Sequence, residues 1–355
     1  MLIFAALPTH DTYMKRCLEL ALLGAGSVAP NPMVGAVLVH DDNIIGEGYH
    51  QQYGQAHAEV NCIDSVPEHM RAMISKSTLY VSLEPCNHFG KTPPCSDLII
   101  SHSIPRVVIG CIDPFEKVNG SGIQKLKQAG ITVEYGVLEK EARELNKRFF
   151  TFHTAGRPYI VLKWAQSSNG KIAAADERRI LVSNEYSNRL VHKWRSEETG
   201  IMIGTRTALL DDPSLTTRLW KGKNPVRIIV DRYLQLPHEL KVFDGESETI
   251  ILNTIKDIRE GKNRYCRIDD DDLFLDKTLR LLYELNIDSI LVEGGSSLLQ
   301  SFIDSNCWDE ARVITNRFLV VENGLSAPRF DQKDPVSSSE FFTDKVDYYY
   351  NTGRF

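Results

Sequence analysis

The sequence predicts two consecutive α/β units. Short apolar strand patterns alternate with helical ones from Val34 to Val292. The alternation breaks best at Thr154-Ala155-Gly156-Arg157-Pro158, which is small, polar and interrupted by Gly and Pro. A chain of 355 residues is long enough for two full cores. The expected units are therefore residues 1–153 and 157–355.

In order, Thr12 to Leu23 reads as a helix, with Met14, Cys17, Leu18, Ala21 and Leu22 at helical spacing. Gly24 and Gly26 end it. Pro30 and Pro32 make the next stretch a loop. Val34 to Val39 is a continuous apolar strand suited to a buried sheet, and Ile44 to Tyr49 follows after a turn at Asp41-Asp42-Asn43. His57 opens a helix to about Ile63. Thr78 to Leu83 is a strand, Cys95 begins a helix, and Val107 to Cys111 is a strand. Gly122 to Ala129 is a helix, Ile131 to Glu134 a strand, and Glu139 to Phe150 one more helix. Past the boundary, strands are expected at Tyr159 to Trp164, Ile201 to Gly204, Arg227 to Val230, Thr249 to Leu252 and Ile290 to Val292. Helices are expected at Asn184 to Arg195, Thr205 to Leu210, Leu275 to Leu285 and from Ser296. Asp331 to Phe355 carries no clear pattern.

Composition narrows the class. The chain is 42% hydrophobic and 25% charged, which fits a globular protein. Its net charge is −6 and it has no basic run, which argues against a large nucleic-acid footprint. Seven scattered Cys do not suggest a disulfide framework. The apolar start from Met1 to Ala6 is too short for a signal sequence, and no run reaches membrane-spanning length. A cytoplasmic location is expected, with reduced thiols.

The chemistry concentrates between His57 and Cys95. His57-Ala58-Glu59 is followed by Leu83-Glu84-Pro85-Cys86 and, eight residues on, Cys95. One imidazole and two thiols can hold zinc and leave its fourth position open to water. A glutamate that does not bind the metal then moves protons, as in zinc deaminases. Two residues apart do not share a face in mid-helix, but at a first turn both can point off the helix end. The competing readings are a structural zinc site, which normally takes four protein ligands, or buried free thiols. In the second half, a strand, Gly294-Gly295 and a helix from Ser296 form a phosphate-cradling arrangement. It lacks the G-x-G-x-x-G spacing, and such a turn is often a plain connector. Lys163, Arg195, Arg206 and Arg218 offer charge for phosphates, or are simply solvated.

Taken together, these motifs make the chain resemble the bifunctional riboflavin-biosynthesis deaminase–reductases. In the first half the likeness rests on Pro30-Asn31-Pro32-Met33-Val34-Gly35, Gly46-Glu47-Gly48-Tyr49-His50, His57-Ala58-Glu59-Val60 and the run from Leu83 to Cys95. In the second half it rests on Leu162-Lys163, Thr207 with Asp211-Asp212-Pro213, Leu215-Thr216 with Arg218, and Val292-Glu293-Gly294-Gly295. The eight-residue insert separates this family from cytidine and transfer-RNA deaminases.

The resemblance implies a cytidine-deaminase-like α/β/α sandwich followed by a dihydrofolate-reductase-like α/β domain. It implies one zinc on His57, Cys86 and Cys95, with Glu59 as general acid/base. Asn31, His50, His88 and Lys91 would position the pyrimidine ribotide. In the reductase half, Lys163 would sit by the ribose chain as a catalytic residue. Arg195, the Leu215 backbone and Arg218 would hold the substrate phosphate, and Glu293 the substrate. NADPH would lie against Ala165, Ser183, Thr207, Asp211 and the turn Gly295, Ser296, Ser297, Leu298, Leu299, Gln300 and Ser301. Members of this family commonly form dimers or larger assemblies. The chain departs from the family at Leu181-Val182-Ser183-Asn184, where Trp-Ile-Thr-Ser is usual. The alternative is a zinc deaminase acting on nucleic acid or another nucleotide, with an accessory second domain.

Overall fold

The computed structural model describes residues 9–89, 93–115, 118–175, 180–332 and 334–351. Lys91, the start from Met1 to Ala6 and the stretch from Asp176 to Arg179 lie outside them. The chain divides into two compact units, Met1–Gly156 and Arg157–Phe355.

The first unit runs α1 (His10–Leu22), β1 (Gly35–His40), β2 (Asn43–Tyr49), α2 (Ala58–Asp64), a 3-10 helix (Glu68–Lys76), β3 (Thr78–Leu83), α3 (Cys95–Ser101), β4 (Arg106–Cys111), α4 (Ser121–Gln128), β5 (Thr132–Tyr135), α5 (Glu139–Leu145) and α6 (Lys147–Ala155). Its sheet order is β2-β1-β3-β4-β5, with β3, β4 and β5 parallel and β1 antiparallel to both neighbours. Strand residues alternate between two cores. Leu38, Val81 and Ile109 meet Ala58, Ile99 and Leu126 on one face. Val37, Tyr80 and Val108 meet Met14 and Cys17 on the other. This is the α/β/α sandwich, and burial on both faces explains the unbroken apolar strands. Gly48 is required by close packing, because a Cβ there would lie 2.2 Å from the Cys62 amide of α2.

The single helix expected over Glu139 to Phe150 is two. Asn146 breaks it, because its side chain accepts from Met33 N and donates to Met33 O, both at 2.8 Å. The boundary stretch is also shorter than expected: Thr154 and Ala155 belong to α6, which ends at left-handed Gly156.

The second unit runs β6 (Tyr159–Ser167), β7 (Lys171–Ala173), α7 (Glu185–Glu197), β8 (Gly200–Gly204), α8 (Thr205–Asp211), β9 (Val226–Val230), β10 (Thr249–Asn253), β11 (Ile258–Glu260), β12 (Asn263–Arg267), α9 (Phe274–Glu284), β13 (Ser289–Val292), α10 (Ser296–Asp304), β14 (Glu310–Asn316), β15 (Leu325–Ser326), β16 (Ser337–Phe341) and β17 (Asp344–Tyr350). Ten strands form one sheet in the order β11-β12-β10-β9-β8-β13-β6-β14-β17-β16. From β12 to β14 every pairing is parallel. β17 and β16 extend that edge antiparallel. α9 and α10 cover one face, with Leu279, Leu282, Leu299 and Phe302 against Ile160, Leu162 and Ile290. Val191 and Trp194 of α7 pack on Tyr159, Val161 and Leu291 of the other. No described helix is long and apolar enough to cross a membrane.

Candidate functional site

His57 is the N-cap of α2 and Glu59 lies in its first turn, the one place where residues two apart can both face off a helix end. Cys86 follows β3 after two residues, and Cys95 is the first residue of α3. His57 Nδ1 lies 3.6 Å from Cys86 Sγ and 3.3 Å from Cys95 Sγ. The three donor atoms fall within 4.8 Å of one another. Zinc bonds of about 2.0–2.3 Å in a tetrahedron place nitrogen and sulfur ligands about 3.6 Å apart, so this donor set fits that ion.

Electrostatics agree with a metal-ready pocket. The Cys86 thiol is held low, chiefly because Cys95 hydrogen-bonds to its sulfur, and the Cys95 thiol is correspondingly raised. His57 is raised, first by its contact with Cys86. Glu59 is buried, and burial raises its carboxyl, which favours carrying a proton.

Two expected substrate contacts adjoin this pocket. Asn31 Nδ2 donates to His50 Nε2 at 3.2 Å. His50 Nδ1 donates to the Ala56 carbonyl at 3.0 Å, which fixes the neutral tautomer, since a carbonyl can only accept. Burial lowers the His50 pKa in keeping with this. The His50 ring lies edge-on to that of His57, 5.5 Å between centroids. His88 Nδ1 is buried with no hydrogen-bond partner among the described residues. Lys91 lies outside those residues.

In the second unit, Arg195 of α7 grips Glu293, which follows β13, with Nε and Nη2 at 2.8 Å from the two carboxylate oxygens. Lys163 of β6 approaches the same carboxylate at 3.6 Å. Burial would raise Glu293, but Arg195 and Lys163 outweigh it and bring it down to about 2. Lys163 is lowered by burial and by Arg195, against the pull of Glu293. Two cations around one anion leave a net positive centre. Arg195 Nη1 also donates to the Thr216 carbonyl at 3.3 Å.

The loop bearing Leu215 to Arg218 is held from beneath. Arg227 is fully buried and donates to Ser214 O at 3.0 Å and Asp244 Oδ1 at 2.7 Å. Leu215 is buried at φ 54°, a left-handed conformation rare for a side chain of that size. Arg218 N donates to His192 Nδ1 at 3.0 Å, and Arg218 Nη1 to Thr216 Oγ1 at 2.9 Å. Thr216 belongs to the Leu215-Thr216 motif but carries no role from sequence, and the one sequence signal for His192 is its nearness to Arg195.

The remaining positions divide. Thr207 Oγ1 lies 3.3 Å from where a Cβ on Gly295 would stand, and the N-cap at Gly295 has no side-chain cap. Ser296 and Ser297 begin the first turn of α10, and a helix start without a side-chain cap favours an anion. Asp211 ends α8 and is exposed, while Ala165 is half-buried on β6. The Ser183 carbonyl accepts from Asn188 Nδ2 at 3.4 Å. Leu299 is packed in the core. Leu298 packs against the same core, Gln300 is tied to Asp304 and Arg329, and Ser301 Oγ donates to Leu298 O.

Comparison with known proteins follows the same division. Residues 7–111 match the cytidine and deoxycytidylate deaminase zinc-binding region, and residues 158–322 match the RibD C-terminal domain. Fold and site thus define a two-domain enzyme, a zinc-binding deaminase domain followed by a reductase domain. The riboflavin biosynthesis protein RibD of Aquifex aeolicus is 42% identical over 302 residues, 84% of each chain. That of Escherichia coli K12 is 35% identical over 317 residues, 84% of this chain and 85% of that one. A crystal structure from Thermotoga maritima, a diaminohydroxyphosphoribosylaminopyrimidine deaminase/5-amino-6-(5-phosphoribosylamino)uracil reductase, is 36% identical. It superposes with a TM-score of 0.86 over 96% of this chain and 97% of that one. The chain belongs to the RibD family of riboflavin biosynthesis enzymes.

Proposed function

We propose that this chain carries out two consecutive steps of riboflavin biosynthesis. The first unit hydrolyses the 2-amino group of a 2,5-diamino-6-ribosylamino-4(3H)-pyrimidinone 5′-phosphate. The second uses NADPH to reduce the opened ribosyl chain to a ribityl chain. The observation that carries this reading is the meeting of His57, Cys86 and Cys95 within 4.8 Å, beside a buried Glu59.

Zinc held by His57 Nδ1, Cys86 Sγ and Cys95 Sγ supplies Lewis acidity that brings the pKa of water toward neutral. Glu59 would accept a proton from the attacking water and pass it to the pyrimidine ring nitrogen, then take the proton of the new C–OH and deliver it to the amine that leaves as ammonia. Its raised pKa suits a group that holds a proton between these steps. Asn31 and His50, and His88 through its open Nδ1, orient the base, and Lys91 joins them at the ribotide.

In the second unit NADPH supplies the hydride. Thr207, Asp211 and the backbone from Gly295 to Ser297 would hold the cofactor, together with Ala165 and Ser183. Leu298, Leu299, Gln300 and Ser301 contribute through the helix they form. Arg195, Arg218 and the Leu215 backbone take the substrate phosphate. Lys163 would lie at the ribose chain, and Glu293, which pairs with Lys163 and Arg195, would contact the substrate. The acidic net charge favours a small substrate over nucleic acid, and the scattered free thiols fit a cytoplasmic location.

The two sites are separable by chelation. Zinc-stripped protein is expected to stop releasing ammonia from the diaminopyrimidine ribotide, yet still to oxidise NADPH when given the deaminated ribotide. Undiminished ammonia release after verified metal removal would contradict the zinc reading.

A further inference from the structure

Glu84 stands two residues before Cys86, and it is not one of the three clustered donors. Its side chain is buried, and its carboxylate is fully engaged. Oε2 accepts from the backbone amides of Asp113 at 3.3 Å and Gly120 at 2.9 Å. Oε1 accepts from those of Gly122 at 3.0 Å and Ile123 at 3.2 Å. Three of these four donors belong to the start of α4, where a negative group is favoured by the helix dipole.

A second observation points the same way. A Cβ on Gly122 would lie 2.1 Å from the Pro85 carbonyl oxygen, so the first turn of α4 rests directly on the residue before Cys86. On its other side, Cys86 is held by α3: Ser96 N donates to Cys86 O at 3.1 Å, and Cys95 N to Cys86 Sγ at 3.3 Å. The Cys86 backbone is thus set between two helix N-termini, and Glu84 fastens one of them.

We infer that Glu84 is a positioning residue for the metal: it locks α4 onto Pro85 and so places the Cys86 sulfur opposite His57 and Cys95. This rests on the zinc reading given above. Glutamine cannot replace the carboxylate. Its single oxygen serves one pair of amides, and its NH2 group turns donors toward the other pair. Cys86 then shifts, while the rest of the sandwich keeps its core.

The test compares zinc affinity of the full-length wild type, Glu84→Gln, Gly122→Ala and Leu126→Ala by chelator competition. Absorption spectra of the cobalt(II)-substituted proteins are recorded alongside. Glu84→Gln and Gly122→Ala are expected to weaken zinc on the order of tenfold or more and to change the cobalt–thiolate bands. Leu126→Ala empties core under the same helix. It is expected to lower the melting temperature and to leave affinity and spectrum unchanged. If Glu84→Gln does not fold, Glu84→Asp, which retracts the carboxylate by one methylene, carries the same expectation. Wild-type protein that binds no zinc would overturn the zinc reading itself. Wild-type protein that binds zinc, beside a folded Glu84 variant with equal affinity and an identical cobalt spectrum, would overturn this inference alone. So would a Leu126→Ala loss as large as that of Glu84→Gln.

Discussion

Asn184 and Asp344 are 160 residues apart, and the Asn184 amide donates to Asp344 Oδ2 at 2.8 Å. Asn184 is also the N-cap of α7, its Oδ1 accepting from Tyr186 N and Ser187 N at 3.0 Å. Its Nδ2 donates to Phe341 O at 2.7 Å and Thr343 Oγ1 at 3.1 Å. The turn joining β16 to β17 therefore holds the segment that bears Ser183. Asn184 stands where the resemblance leads one to expect serine, and its side chain bonds at both ends, to α7 and to the β16–β17 turn.

Asn184→Ala is accordingly expected to cost about 1 kcal/mol of stability through loss of the helix N-cap, and to raise the KM for NADPH by loosening the segment that bears Ser183. Ammonia release from the diaminopyrimidine ribotide should not change. Steady-state kinetics of both half-reactions check this, and an unaltered NADPH KM would detach the β16–β17 turn from the cofactor site.

The grouping of His57, Cys86 and Cys95 was legible because they sit at turns and helix starts, where short local motifs fix the geometry. The strands of the parallel core were visible because they are buried on both faces. β14 was not, because it carries Glu310 and Arg312, charged residue types that are seldom buried unless paired. In the structure both are buried and paired, Arg312 Nε to Glu310 Oε1 at 2.6 Å. β16 reads Ser-Ser-Ser-Glu-Phe with no apolar alternation, and only its pairing with β17 makes it a strand. The break at Asn146 depends on Met33, 113 residues away, and no window of sequence contains both.

Glu59→Gln keeps the shape of the side chain and removes its ability to take a proton. The expected result is retained zinc, deamination lowered by about 10²–10⁴-fold, and unchanged reduction of the deaminated ribotide. Metal analysis and the two separate assays check this. A variant with full zinc and a normal rate of ammonia release would remove Glu59 from the mechanism.

Glu293 gives the second unit an acid-sensitive clamp. Its pKa is lowered in the folded chain from 4.5 to about 2, so its pairing with Arg195 and Lys163 stabilises the fold above pH 4.5. That contribution is lost as pH falls from 4.5 toward 2, because the unfolded chain takes up a proton at this carboxylate while the folded chain does not. Glu293→Gln leaves two buried cations unpartnered and is expected to cost about 3–5 kcal/mol near neutral pH. Its stability should also fall less steeply than that of the wild type across the acid window. Thermal melts from neutral pH downward check both, and parallel acid profiles for the two proteins would contradict the assignment.

The most direct measurement uses zinc-loaded protein, the diaminopyrimidine ribotide and NADPH in one cuvette, with ammonia release and NADPH oxidation followed together. Ammonia is expected first and NADPH loss after a lag, with one NADPH consumed for each ammonia released. Absence of both signals, from protein shown to hold zinc and to be folded, would contradict this expectation.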